Sequence, residues 1–298
     1  MSKTPIAVKL IFNPDAGKPE ESPKQLLQII SEMQRQSIIP EVYMATTAQA
    51  VDAVIWRAQK DGTKIIVAAG GDGTVDLVAA QMVGKPLKLG IVPAGTRNNL
   101  ALNLGISNEI PKAVENLRSG KAIKVDLGVA RTGDKSQYFL ELVTLGLISD
   151  LYFVTDEIQH GDLSKVGEFI SKLVSSNPFE ARIKLDGKRQ VQATAYMILV
   201  ANMPFIGANV QIDPGLSYRD GKLDVFVFTE LSKINLISYA LRSLAGNAWD
   251  ESVRHYRAKE ILIDPDPQVA IIADGLQLTE GRLSVRIEPR VLTVIASK

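Results

Sequence analysis

The chain has no cysteine. A disulfide framework, a thiolate metal site and a cysteine nucleophile are thereby excluded, and the composition suits a reducing cytoplasm. Histidine is almost as scarce. His160 and His255 stand far apart, without the spacing of a metal-binding pair, and packing or surface positions are expected for both. Neither sign of charge dominates: 34 Lys and Arg face 33 Asp and Glu, for a net charge of +1, with no long basic run. No nucleic-acid partner held by bulk charge is expected. Long apolar runs are missing too. A membrane-spanning helix needs about 18 uncharged apolar residues, and the nearest approach, residues 138–153, is broken by Glu141 and Asp150. The opening MSKTPIAVKLIF is expected to lead straight into a strand rather than to act as a signal peptide. Any membrane involvement is therefore expected to be transient contact with the surface of one.

What is present is the make-up of a folded protein, with 46% hydrophobic and 22% charged residues and a mean hydropathy of +0.07. Its 298 residues suffice for one large domain or two ordinary ones. Residues 6–13 form an apolar run between Pro5 and Pro14, as a buried strand does. Ser22-Pro23 then signals a helix start, and Leu26, Ile29, Ile30 and Met33 recur at helical spacing. Strands are read at 40–46, 64–69 and 87–92, and helices at 50–60 and 75–83. This alternation implies βαβ units around a parallel sheet. Beyond residue 122 the pattern changes to short β runs. Asp186-Gly187 marks a hairpin, and only the helices at 163–174 and roughly 231–245 interrupt the strands. The expected fold is a Rossmann-like α/β domain over 1–127, completed by 290–298, and a β-rich, sandwich-like antiparallel domain over 128–289.

AAGGDGTVDLV, residues 68–78, carries the chemistry. Its glycines follow an apolar strand and precede a helical stretch, where α/β sheets bind ligands. Glycine lets a bulky group approach the backbone, and a helix N-terminus favours phosphate oxygens. Asp72 would repel a bare phosphate, so its presence implies a divalent cation between them. The competing reading is a plain turn, because Gly-Gly and Asp-Gly are ordinary turn pairs. The loop is neither a Walker A motif nor a Gly-x-Gly-x-x-Gly fingerprint. Two further loops of similar chemistry, FNPDAGK at 12–18 and PAGTRNNLA at 93–101, also follow strands. Three such loops can converge on one nucleotide and its metal.

In order, Asn13-Pro14 with Gly17-Lys18, Gly70-Gly71-Asp72-Gly73-Thr74 and Pro93-x-Gly95-Thr96-x-Asn98 resemble the diacylglycerol kinase catalytic-domain family, which includes bacterial soluble lipid kinases and sphingosine kinases. The match continues through Val125-Asp126-Leu127-Gly128, Val200-Ala201-Asn202 with Gly207, Pro214 to Asp224, and Asp274-Gly275. The resemblance implies a Mg²⁺-dependent transfer of the ATP γ-phosphate to a lipid hydroxyl, with diacylglycerol as the default acceptor. By the family pattern Asn13, Gly70, Gly71, Asp72, Gly73, Thr74, Val75, Gly95, Thr96 and Asn98 would hold ATP. Thr46 or Thr47 would lie near it. Asp72 and Asp126 would organise the catalytic Mg²⁺, partly through water. Asp220, with the carbonyls of Ser217 and Lys222, would bind a second, structural cation. A homodimer is among the oligomeric states left open.

The chain departs from that pattern in three places. Leu276 stands where the family carries the Glu proposed as base, Asn99 stands where Asp is frequent, and Asp76 where Asn is common. A lost base costs about 10²–10⁴-fold, although phosphoryl transfer rests mainly on positioning and charge neutralisation. Asp274 is the nearest substitute base, with Glu280 further along. Two alternatives stand beside the lipid kinase: an NAD kinase-like transferase with a soluble acceptor, and a nucleotide- or lipid-binding protein with impaired turnover. Of the remaining candidates, Trp56 is expected in the core and Trp249 against the second domain. Arg254-His255-Tyr256-Arg257 reads as a solvated strand edge or a lipid-headgroup contact. The stretch 203–206 is expected to be either core or a membrane-touching lip.

Overall fold

The computed structural model describes residues 4–17, 19–96, 98–147, 149, 175–206, 210–211, 215–229 and 253–297. The chain divides into two compact units, Met1–Val125 with Arg290–Lys298, and Asp126–Pro289. The helices expected at 163–174 and 231–245, His160 and Trp249 lie outside the described residues.

In the first unit β1 (Ile6–Phe12), α1 (Ser22–Arg35), β2 (Ile38–Tyr43), α2 (Ala48–Asp61), β3 (Ile65–Gly70), α3 (Asp72–Met82) and β4 (Lys88–Pro93) alternate as expected. All of β3 is buried, which is why it reads as one apolar run. The strands are parallel in the order β2-β1-β3-β4. The order reverses between β1 and β3, a topological switch point of the kind where open α/β sheets take ligands. Two short helices, α4 (Asn99–Asn103) and α5 (Ile110–Ser119), had no clear sequence signal. Near the C-terminus Thr293 and Val294 pair in parallel with Lys88 and Leu89 of β4. Asn116 Nδ2 donates to Ile295 O at 3.2 Å, so the last residues are tied to this unit by side chain as well as by ladder.

The helices are closed by local chemistry. Thr47 caps α2, its Oγ1 accepting from Ala50 N at 3.3 Å, and Gly62 ends the same helix with φ 80°. Ile29 and Met33 of α1 are buried as the spacing requires. Trp56 is not core. It is 59% exposed, with the Lys60 ammonium 5.0 Å from its ring centroid. It sits on the outer side of α2, whose buried positions are Val51, Val54, Ile55 and Ala58.

Lys9 is the unexpected charge in this sheet. It lies on β1 and is only 4% exposed, and its ammonium donates to Glu41 of β2 and to Asp61 at the end of α2. Burial alone would lower the Lys9 pKa, but Asp61 and Glu41 outweigh it and raise it.

The chain enters the second unit within β5 (Lys121–Thr132), which pairs with β6 (Lys135–Phe139). One layer is a six-stranded antiparallel sheet ordered β14 (Val253–Ala258), β13 (Leu223–Phe228), β10 (Met197–Ala201), β7 (Leu142–Gly146), β16 (Ile271–Ala273) and β17 (Leu276–Gln277). A second layer pairs β8 (Phe179–Leu185) with β9 (Arg189–Ala195), and β15 (Glu260–Asp266) with both β8 and the first residues of β18 (Leu283–Ala296). A small hairpin, β11 (Phe205–Ile206) with β12 (Val210–Gln211), stands apart. Val143, Ile198 and Val225 from one layer and Ile183, Ile261 and Val285 from the other share a core, the arrangement of a sandwich. Asp186 and Gly187 both adopt positive φ in the β8–β9 turn, as the Asp-Gly pair predicts. Although Pro289 interrupts the β pattern, Leu283–Ala296 form one strand, β18, with Arg290 at φ 56° in its middle.

The Lys9 cluster carries a pH signature. The hydrogen bond from Lys9, then those from Thr63, hold the Asp61 carboxyl down at about 2, against an ordinary 3.8. A folded-state pKa below the unfolded one contributes stability above pH 4 that disappears as pH falls toward 2. Thermal unfolding followed from pH 6 to pH 2 is expected to show this loss in the wild type and a flatter profile in Lys9→Met.

Candidate functional site

The glycine loop does not precede α3; it begins it. Gly71 is the N-cap, and Thr74 N and Val75 N both donate to Gly71 O, at 3.0 and 3.1 Å. Asp72, Gly73 and Thr74 are therefore the first helical turn. Asp72 places its carboxylate at the positive end of the helix dipole, and Oδ1 accepts from Leu100 N at 3.3 Å. Val75 turns its side chain into the core, so only its backbone is available to a ligand.

The loops after β1, β3 and β4 meet here. Asn13 N donates to Ala69 O at 3.1 Å and Asn13 Nδ2 to Thr74 Oγ1 at 3.0 Å. Ala94 N donates to Gly70 O at 3.0 Å. Asn98, in the left-handed region at φ 53°, closes its own loop: Oδ1 accepts from Gly95 N at 3.1 Å and Nδ2 donates to Gly95 O at 2.9 Å. Close packing of loop on loop explains two of the glycines. A Cβ on Gly95 would stand 2.3 Å from Gly71 Cα, and one on Gly70 would stand 2.5 Å from Thr74 Oγ1. Gly73 differs, because a Cβ there would meet nothing within 4 Å. Of the three glycines at 70, 71 and 73, only the last faces open space. Thr96, Thr46 and Thr47 are exposed, and the Thr47 hydroxyl is engaged as the α2 cap.

In the second unit Asp126 is 0% exposed and serves a turn. Its N–H donates to Tyr218 O at 2.9 Å, and Oδ2 accepts from Gly221 N at 2.7 Å. Asn202, also buried, donates through Nδ2 to Asp126 O at 3.0 Å and to Leu140 O at 2.8 Å. Its Oδ1 is buried without a hydrogen-bond partner among the described residues.

Residues 7–130 match the family model for the diacylglycerol kinase catalytic domain, and residues 154–296 match that for the YegS C-terminal NAD kinase beta sandwich-like domain. The chain belongs to the diacylglycerol kinase family of lipid kinases. A Bacillus subtilis (strain 168) protein named diacylglycerol kinase is 27% identical over 90% of this chain and 88% of its own. A Staphylococcus aureus (strain MSSA476) protein with a provisional lipid kinase name is 30% identical over 78% of this chain and 76% of its own. Among solved structures, a Bacillus anthracis protein provisionally described as a diacylglycerol kinase has a TM-score of 0.80 at 24% identity, covering 99% of this chain and 97% of that one. An Archaeoglobus fulgidus NAD kinase in complex with ATP has a TM-score of 0.55 at 9% identity, covering 98% and 94%. At those identities the two structures speak for the fold alone.

Against this family background the C-terminal Asp-Gly motif acquires a definite shape. Asp274 sits at φ 40° between β16 and β17, and its carboxylate accepts three successive backbone amides. Leu140 N lies 2.5 Å from Oδ2, Glu141 N 3.1 Å from Oδ1, and Leu142 N 2.9 Å from Oδ1. Asp274 N returns a bond to Leu142 O at 3.1 Å. The side chain is a clamp on the start of β7, and its lone pairs are directed at amides. Leu276, where the family pattern has Glu, is 53% exposed on β17. Sequence reasoning did not find this clamp, because nothing local to Asp274 reports a partner more than 130 positions away.

The Asp220 cluster is also paired. Arg257 donates to the Asp220 carboxylate, and Arg257 Nε lies 3.2 Å from Asp224 Oδ1. Burial raises the Asp224 pKa, opposed by His255 and Arg257. His255 Nε2 lies 2.7 Å from Asp224 Oδ1 and its ring stacks on Phe226 at 4.5 Å. The first residue of the 203–206 stretch, Met203, is core. Arg254-His255-Tyr256-Arg257 is an edge strand of its sheet.

Two outcomes follow for substitutions. Gly95→Ala is expected to cost about 2 kcal/mol or more in denaturant unfolding, through overpacking against Gly71, whereas Gly73→Ala keeps wild-type stability to within about 1 kcal/mol. Asp274→Ala, which strips the acceptor from three amides, is expected to lower stability by about 2–3 kcal/mol or more. Asp274→Asn, with one acceptor oxygen left, is expected to lose less.

Proposed function

We propose that the chain transfers the γ-phosphate of Mg·ATP to a lipid hydroxyl, with diacylglycerol as the default acceptor. The observation that carries this reading is the convergence of the loops after β1, β3 and β4 on the N-terminal turn of α3, beside the switch point between β1 and β3. First-turn amides of a helix favour phosphate oxygens, and Gly73 leaves the approach to them uncrowded. An NAD kinase that shares this fold is described in complex with ATP, which is in keeping with a nucleotide as ligand of the fold.

Asp72 fits a divalent cation. It offers hard oxygen at a helix end that also favours phosphate, the donor set Mg²⁺ takes from carboxylate and substrate together. Bound there, the ion would neutralise charge on the transferring phosphoryl group. The chain's own residues do the positioning. Asn13 fixes the Thr74 hydroxyl, Asn98 fixes the Gly95 loop, and the Leu100 amide fixes Asp72. Proton removal from the acceptor has no dedicated Glu at position 276. A loose transition state asks little of a base, so turnover persists with Asp274 acting as the clamp of β7. No helix among the described residues is long and apolar enough to cross a membrane, which suits an enzyme that meets its lipid at the surface.

The test is radiolabelled ATP with diacylglycerol, sphingoid bases, phosphatidylglycerol and isoprenoid alcohols in mixed micelles, and separately with NAD as a soluble dinucleotide acceptor, alongside calorimetry of Mg·ATP binding. The wild type is expected to label a lipid, and Asp72→Asn to lose at least about 100-fold in rate while still folding. Heat on Mg·ATP titration with label in no lipid would establish the binding-protein alternative. Label in a soluble dinucleotide would establish the NAD kinase-like one.

A further inference from the structure

The turn at residues 217–222 and the edge strand β14 carry a charge arrangement that the kinase reading leaves unused. Four facts fix it. Asp224 of β13 stands directly opposite Arg257 of β14 in the antiparallel register, so the ladder itself delivers the arginine. Arg257 Nε lies 3.2 Å from Asp224 Oδ1, while another guanidinium nitrogen donates to Asp220 Oδ2. The second Asp220 oxygen, Oδ1, accepts from Lys222 N at 3.1 Å. The same turn clasps Asp126, through Tyr218 O and Gly221 N.

The donor set that the family resemblance suggests for a structural cation, Asp220 with the carbonyls of Ser217 and Lys222, does not fit a metal in this chain. A divalent ion needs roughly six oxygen ligands and a carboxylate free to turn toward it. Here one carboxylate oxygen is bound to the turn's own backbone and the other to a guanidinium. A 2+ ion placed against Asp220 would lie beside Arg257, and the repulsion between like charges opposes its binding. Arginine suits the position better than lysine, because its planar fork reaches two carboxylates at once. His255 shares the same Asp224 oxygen through Nε2, its ring held by its stack on Phe226.

We propose that Arg257 is the cation of the Asp220 turn: anchored on Asp224 across the β13–β14 pair, it neutralises Asp220 and holds the 217–222 turn on Asp126 without a metal. Arg257 is thus a positioning residue. The proposal is read from metal binding and unfolding of the nucleotide-free chain, so its failure is distinguishable from failure of the kinase reading.

The full chain, free of nucleotide, tests it with Mn²⁺ as probe. Electron paramagnetic resonance titration is expected to give the same Mn²⁺ binding in wild type and Asp220→Asn. The wild-type unfolding midpoint is expected to be equal in EDTA and in millimolar Mg²⁺. Arg257→Ala is expected to lower that midpoint by roughly 3 °C or more and to make it rise when Mg²⁺ or Mn²⁺ is added, an effect absent from Arg257→Ala/Asp220→Asn. Should Arg257→Ala fail to fold, Arg257→Lys provides the same comparison with a weaker loss. A wild-type Mn²⁺ ion that vanishes in Asp220→Asn but survives in Asp72→Asn would overturn the proposal. So would an Arg257→Ala midpoint equal to that of the wild type and indifferent to metal.

Discussion

The contact between two backbones, Gly71 at the end of β3 and Gly95 at the end of β4, is the constraint on which the candidate nucleotide site depends. No side chain fits between them: a single methyl group on Gly95 would overlap the Gly71 Cα. Once the two loops touch, the other contacts have somewhere to go. Asn98 can close its loop on Gly95, Leu100 can present its amide to Asp72, and Asn13 can reach Thr74. The first turn of α3 is then held on three sides and its outer face, at Gly73, is left open. Rigid loops around an open helix end suit the binding of a polyphosphate, because the donors are oriented before the ligand arrives.

In the second unit carboxylates do much of the backbone's work. Asp274 gathers three amides at the start of β7, Asp186 gathers the amides of Lys259 and Glu260, and Asp126 ties its own strand to the 218–221 turn. Each sits where a strand begins or a turn closes, and there a missing partner would leave amide groups without an acceptor. This explains why Asp-Gly pairs recur at 186, 220 and 274: aspartate supplies the acceptor and glycine the conformation that follows it. It also separates the look of a motif from the work its residues do. Asp274-Gly275 looks like part of a catalytic motif, yet with Leu276 beside it the geometry serves the sheet.

Much of this was readable from the chain. The alternation of β and α, the parallel first sheet, the antiparallel second half, the hairpin at Asp186-Gly187 and the three glycine-bearing loops all follow from local pattern. So does the family, since ordered motifs survive where overall identity is low. What escaped was whatever depended on distant partners. Trp56 looked like core because tryptophan usually is, but its turn of α2 faces outward. Pro289-Arg290 interrupts the local β pattern, yet one strand runs from Leu283 to Ala296 because its partners lie elsewhere in the chain. The packing of Gly70 against Thr74 and of Gly71 against Gly95 had no local signal either.

The sequence by itself determined the periodicities, the turn chemistry and the three loops that make up the candidate phosphate site, because these depend on residues within a few positions of one another. Only the tertiary structure decided what each charge is for. A carboxylate's role is set by which donors lie within about 3 Å of it, and in Asp72, Asp126, Asp220 and Asp274 those donors come from 2 to 134 positions away.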